Sequence, residues 1–249
     1  MQDRPIHASD VTLTAVPGVW VLSDFADTAV VHGFGDRTLT AETLAERLGY
    51  AASSLVRLEQ VHGAVVAEVD AAYQPGVPPW PGADGAVTDR AGVALTVRTA
   101  DCAPVGFYDP AHRAIGIAHV GWRGLEARLL LRMVEVMARR WGAQPAQLRV
   151  ALGPMIGPCC YEVGPEFEPR FPAWVRQERG RRVLDVRQGI MAQLREAGVD
   201  PVRVADSQVC TGCHADRFHS YRRAGVAAGR CHFLLALVPD RAVQGASHA

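Results

Sequence analysis

Three side chains stand where an apolar run meets a turn built from glycine or proline. They are His62 in Gln60-Val61-His62-Gly63, Cys102 in Ala100-Asp101-Cys102-Ala103-Pro104, and His119 in His119-Val120-Gly121-Trp122-Arg123-Gly124. Strands that end in such turns hold a side chain firmly and still present it to a ligand. Two imidazoles and a thiolate suit zinc, and a three-residue set leaves the fourth tetrahedral position to water or substrate. The separations, 40 and then 17 residues, lack the close pairs of a zinc finger. Taken singly, each residue also has a plainer reading: a hydrogen-bonded histidine at a strand end, or a buried cysteine acting as a small hydrophobe. A third reading makes Cys102 the nucleophile of a metal-free hydrolase, with His119 as its base.

Other chemistries are excluded by what the chain lacks. All 26 basic residues are arginine, and neither lysine nor asparagine occurs. A Schiff-base lysine, a phosphate-loop lysine and a Cys–His–Asn triad are therefore ruled out. Any anion must be held by arginine, backbone N–H groups, histidine or a metal. The 26 basic residues are balanced by 26 acidic ones, so no electrostatic reason exists to expect nucleic acid or an anionic membrane as partner. The run Arg179, Arg181, Arg182 reads as a solvated face. No secretory signal is visible, and no apolar run approaches the roughly 18 residues that span a bilayer. The expectation is a cytoplasmic protein, monomer or homodimer, with cysteines 102, 159, 160, 210, 213 and 231 as thiols.

The elements that must position these residues follow from periodicity. Short strands are expected at 19–22 and 29–33, and a helix capped by Thr40 runs through Leu44 and Leu48 to a stop at Gly49. Residues 55–61 alternate apolar and polar, with 65–69 as their partner strand. Residues 74–82, rich in proline and glycine, read as a long surface loop within one domain rather than a linker. Buried strands are expected at 93–97, 104–108 and 114–118, then an amphipathic helix over 125–141 and a strand at 148–152. Residues 153–164 are too broken for a helix. A helix over 185–197 ends at Gly198, and strands at 202–205 and 231–238 close the sheet. Helices therefore cover the faces of mixed sheets in an α/β fold formed by one domain over 1–249, with poorly ordered tails at about 1–15 and 240–249.

These segments, together with Gly153-Pro154-Met155-Ile156-Gly157-Pro158-Cys159-Cys160-Tyr161-Glu162-Val163 and Phe218-His219-Ser220-Tyr221-Arg222-Arg223, resemble the YfiH/YlmD family. That family was long described as multicopper polyphenol oxidase, or laccase domain, and later as purine nucleoside phosphorylase. The likeness runs in order from His32-Gly33-Phe34 to about Leu237. It implies a layered α-β-β-α sandwich of mixed sheets, with His62, Cys102 and His119 as metal ligands. It also implies phosphorolysis of adenosine, inosine and methylthioadenosine, with adenosine deamination as a second reaction. Two departures stand out. His32-Gly33-Phe34-Gly35-Asp36-Arg37 lacks the following glycine pair, and Ala224 stands where an aspartate is usual.

Each implied reaction makes its own demands. Deamination needs a metal-activated water and a proton-carrying carboxyl. The residues two after His62 and His119 are Ala64 and Gly121, so the zinc-deaminase His-x-Glu is absent, and Asp101 and Asp84 are the proton candidates; Asp101 has a turn cap as its equal alternative. Phosphorolysis needs cations on the phosphate, for which Arg37 and Arg123 are candidates with His32 and Gln60 beside them. Arg123 has an alternative as a binder of loop carbonyls, and Arg222 and Arg223 follow behind. Cys160 belongs to the segment expected to line the pocket. Cys210-Thr211-Gly212-Cys213 reads as two incidental thiols before a second metal site. Multicopper oxidation fits poorly, because nine histidines include no His-x-His pair, although the His–Cys–His set would accept copper and then oxidise phenols slowly.

Overall fold

The computed structural model describes residues 11–13, 16–74 and 79–239. Of the expected tails, only 11–13 fall within them. Two six-stranded sheets form the centre. The first runs β1 (Val11–Leu13), β2 (Val19–Leu22), β3 (Val30–Gly35), β14 (Cys231–Leu237), β7 (Ala94–Thr99), β4 (Leu55–Arg57). It is antiparallel until β4 joins β7 in parallel. The second runs β13 (Val204–Asp206), β10 (Arg149–Leu152), β8 (Ala103–Asp109), β9 (Ala114–Val120), β6 (Ala83–Thr88), β5 (Val65–Glu68), with parallel pairs at its two edges. A small hairpin, β11 (Val175–Glu178) and β12 (Arg181–Leu184), stands apart.

Three apolar layers hold these sheets. Between them, Phe34, Phe233 and Leu235 of the first sheet meet Ile115, Ile117 and Ala151 of the second, and Phe34 stacks on Phe233 with ring centres 4.2 Å apart. Outside the first sheet, α1 (Ala41–Arg47) lays Leu44 and Ala45 on Val19, Leu234 and Ala236. Outside the second, α2 (Trp122–Glu126), α3 (Leu129–Trp141) and α4 (Val186–Glu196) bury Leu129, Met133, Met137, Ile190 and Leu194 against Val105 and Phe107. The order is α-β-β-α, as the resemblance implies. Strands β8 and β9 are buried along their whole length, because a sheet covered on both faces has no polar side. Among the described residues, no helix is long and apolar enough to cross a membrane.

Several elements differ from expectation. The strand expected over 55–61 stops at Arg57, because Gln60 and His62 take left-handed backbone angles (φ 61° and 65°). Residues 65–69 do not partner it: β4 joins β7 in the first sheet, whereas β5 joins β6 in the second. The helix expected over 125–141 begins at Trp122 and breaks at Arg128 (φ 61°, ψ 37°). That break lets Leu125 seat over Gly189 of α4, where a Cβ would lie 2.8 Å from its Cδ1. The strand expected from 202 starts at Val204, after a 3-10 turn opened by Pro201 and capped by Asp200. The loop at 74–82, of which 75–78 lie outside the described residues, connects β5 and β6, which pair side by side.

Candidate metal centre

The site forms at one end of the second sheet. Cys102 immediately precedes β8, and Ala103 and Pro104 pair with Val120 and His119 of β9. The thiol and the imidazole thus share an edge although 17 residues separate them. His62 arrives on the loop between β4 and β5, with ring centres 4.9 Å from His119. One ligand atom from each of the three lies within 4.8 Å of the others.

Asp84 organises this set. It is fully buried on β6, at the point where the register with β5 slips between Val65 and Val66. Its Oδ2 accepts the N–H groups of Val61 (3.0 Å) and Gly63 (2.7 Å), and its Oδ1 accepts that of His62 (3.0 Å). Left-handed backbone at Gln60 and His62 costs about 1–3 kcal/mol each, and these bonds offset much of it. Oδ1 also accepts from Nδ1 of His119 at 2.9 Å. That bond places the His119 proton on Nδ1 and leaves Nε2 as a lone-pair ligand. Gly121 is required by crowding: a Cβ there would lie 2.8 Å from Cys102 Sγ and 3.4 Å from His62 Cδ2.

The charges follow from these contacts. Burial works to raise the Cys102 thiol, yet hydrogen bonds and charge from His119 and His62 bring it down to about 6. Burial works to lower His119, and Asp84 and Cys102 bring it up to about 9. Burial likewise works to raise Asp84, but the bonds from His119, Gly63 and His62 hold its carboxyl below the usual range. A thiolate beside imidazoles is a cation-seeking arrangement, and a metal that binds there displaces the remaining protons. The donor set therefore fits a borderline-soft ion with an open position.

A cleft of about 650 Å³ opens over the three ligands. Four arginines line it (Arg98, Arg123, Arg222 and Arg230) against one carboxylate, Asp101. The Arg123 guanidinium stacks on Trp122 at 4.2 Å and makes no hydrogen bond among the described residues, so it binds no loop carbonyls. Arg222 lies over Tyr161 and donates to Glu162 O (2.6 Å). Gln60 lines the cleft, but its amide is occupied: Oε1 accepts from Arg98 N (3.0 Å) and Nε2 donates to Arg98 O (2.7 Å). Asp101 lines it too, with Oδ1 accepting from Thr211 Oγ1 (2.6 Å) and Oδ2 from Ser220 Oγ (3.0 Å) and Arg222 N (2.7 Å). It braces the cleft wall.

Other expected residues lie elsewhere. His32 is buried in β3, accepts the Leu22 N–H at Nε2 (3.0 Å) and packs on Phe25; it does not line the cleft. Nor does Arg37, whose guanidinium donates to Ala215 O at 2.6 Å. Asp84 sits behind the ligands rather than facing the cleft. Arg223 ties the carbonyls of Thr211, Gly212 and Phe218. Cys160 stands in a separate group with Cys159, Cys210 and Cys213. Sequence reasoning missed Arg98, Tyr161, Tyr221 and Arg230 as lining residues. The one signal for Arg98 was its place as the polar, exposed residue of an otherwise buried strand.

A layered sandwich with an open His–Cys–His set in an arginine-lined cleft defines a metal-binding class of α/β protein, and comparison places it more closely. Residues 38–238 match the family described as multi-copper polyphenol oxidoreductase laccase, and the chain belongs to that family. Purine nucleoside phosphorylase YlmD of Geobacillus stearothermophilus is 36% identical over 217 residues, covering 80% of this chain and 79% of that protein. A protein of Deinococcus radiodurans, named purine nucleoside phosphorylase, is 39% identical over 78% of this chain and 74% of its own. Another, from an unknown prokaryotic organism and named adenosine deaminase, is 33% identical over 76% and 77%. The crystal structure of the Geobacillus YlmD superposes with a TM-score of 0.84 at 28% identity, covering 92% of this chain and 100% of that one.

Proposed function

We propose that the chain is a zinc-dependent purine nucleoside phosphorylase that acts on adenosine, inosine and methylthioadenosine, with adenosine deamination as a second activity. The observation that carries this reading is that four arginines and a single acidic residue line the cleft that also holds the His–Cys–His set. Names of relatives support the reaction class. His62, Cys102 and His119 would hold the ion, which when bound supplies Lewis acidity and a water acidic near neutral pH.

The chain's own residues do the rest. Arg123, free of acceptors among the described residues, holds the phosphate with Arg98 and Arg230 and aligns it with ribose C1′. Tyr221, about half exposed at the cleft, offers an aromatic face to the purine. Asp84 keeps the His119 proton on Nδ1, and Asp101 keeps the Tyr221–Arg222 turn in place; both are positioning residues, since every carboxylate oxygen already accepts from the protein. The test is phosphate-dependent release of free base from adenosine by metal-quantified wild type and His62→Ala. Turnover only in wild type is expected, and equal rates would remove the metal from the mechanism.

One observation favours a second reading. Asp84 accepts from Nδ1 of His119 (2.9 Å), and the Cys102 sulfur lies within 4.8 Å of a His119 ring nitrogen, the order of groups in a thiol hydrolase. Metal-free protein that remains active and is covalently trapped at Cys102 would establish it. The multi-copper description finds little footing, since among the described residues no group of three or more candidate metal ligands holds more than two imidazoles, His62 and His119.

A further inference from the structure

Cys159, Cys160, Cys210 and Cys213 do not line the cleft, and Thr211, between two of them, donates to Asp101 of its wall. All four are free thiols, and their sulfurs all lie within 4.8 Å of one another. Cys213 Sγ is 3.5 Å from both Cys159 Sγ and Cys160 Sγ. A disulfide needs about 2.05 Å, so these are not bonded pairs. Four zinc–sulfur arms of about 2.3 Å at tetrahedral angles place sulfurs about 3.8 Å apart, a spacing that the two 3.5 Å contacts and the 4.8 Å limit on the others accommodate. We propose that these four cysteines form a second, closed metal site that holds one structural Zn²⁺, independent of the open site in the cleft.

The surrounding backbone is arranged to bring the two turns together. Met155 N donates to Val209 O (3.2 Å) and Thr211 N to Met155 O (3.0 Å), laying the 155–161 segment along 209–213. Gly212 makes the final approach possible, because a Cβ there would lie 2.6 Å from Cys160 Cβ and 2.7 Å from its Sγ. Gly157 N donates to Cys210 Sγ at 3.2 Å, a bond that favours a thiolate. Four ligating thiols release four protons to solvent, and the complex carries a net charge of about −2. Two guanidiniums stand by the same turns: Arg181 on Cys159 O (3.3 Å) and Arg223 on the carbonyls of Thr211 and Gly212.

The site has an evident mechanical role. Tyr161 follows Cys160 into the cleft wall, and Thr211, between two of the cysteines, holds Asp101. Fastening 159–160 to 210–213 therefore fixes two walls of the cleft without contributing to its floor.

Metal counting on zinc-replete protein tests this directly. Wild type is expected to hold two zinc ions per chain, Cys102→Ala one, and Cys213→Ser one. X-ray absorption at the zinc edge of Cys102→Ala is expected to show four sulfurs at about 2.3 Å and no nitrogen. Should Cys213→Ser fail to fold, wild-type thiols give the answer: Cys159 and Cys213, though exposed, should resist a thiol reagent until a strong chelator is added. Folded Cys102→Ala without zinc would overturn the proposal. So would a mapped disulfide within the group, or immediate labelling of all four thiols in zinc-replete protein. None of these outcomes depends on whether the cleft phosphorolyses nucleosides.

Discussion

Asp84→Asn separates orientation of the ligands from their mere presence. The carboxylate accepts four hydrogen bonds from a fully buried position. If the amide oxygen of asparagine keeps the bonds to Val61 and Gly63, its NH₂ then points at two donors, His62 N–H and His119 Nδ1–H. Losing two bonds to a charged acceptor costs about 1.5–3 kcal/mol each, about 3–6 kcal/mol together. His119 can relieve one clash by moving its proton to Nε2, but that removes the lone pair the metal needs. Outer partners of this kind typically hold a 10–100-fold share of metal affinity, and a loss of at least that size is expected here. The assay is zinc retention against a graded chelator, with circular dichroism confirming the fold and ¹⁵N NMR of His119 reading the tautomer. Folded Asp84→Asn with wild-type zinc affinity and wild-type turnover would refute the reasoning.

Further perturbations reach other parts of the molecule. Gly121→Ala places a methyl 2.8 Å from Cys102 Sγ on a backbone (φ −98°) that alanine tolerates; zinc content should fall with the fold intact, and turnover by about 100-fold. Arg123→Gln removes a cation that no acceptor among the described residues holds, and the KM for phosphate should rise about tenfold or more with zinc content unchanged. Burial, and then the charge of Arg149, bring His32 down to about 4. The unfolded chain takes up a proton near pH 6.5 that the folded chain refuses, so stability should fall as pH drops from about 6.5 to 4, by about 3 kcal/mol for this group. Denaturant unfolding across that range should show a shallower slope, by about one proton, in His32→Gln.

The His62, Cys102 and His119 trio was legible as candidate ligands because each member sits at a strand–turn junction, a local property of the chain. Their convergence was not local: it depends on β8 and β9 pairing with Ala103 opposite Val120. Asp84 drew notice as a carboxylate near the site, but its work as a backbone clamp required the register slip between β5 and β6. Strand β6 itself escaped notice because Ala83–Thr88 is made of small residues with Gly85 in the middle. Arg98 and Arg230 reach the cleft only through the antiparallel match of β14 with β7, where His232 lies opposite Arg98. The four-cysteine group read as two unrelated pairs, since the bridge from Met155 to Cys210 that unites them leaves no trace in periodicity. The left-handed Arg128 likewise interrupts a pattern whose apolar spacing is continuous.

His62 and Cys102 share one further property. His62 lies where the chain leaves β4 of the first sheet for β5 of the second, and Cys102 where it leaves β7 for β8. Neither sheet folded alone would present more than part of the ligand set. On the proposed metal site, an ion gripped there would act as a rivet through the seam, drawing its strength from the docking of the two layers and resisting their slippage in return. Its capture would accordingly come late in folding, after long-range pairings that are slow to form.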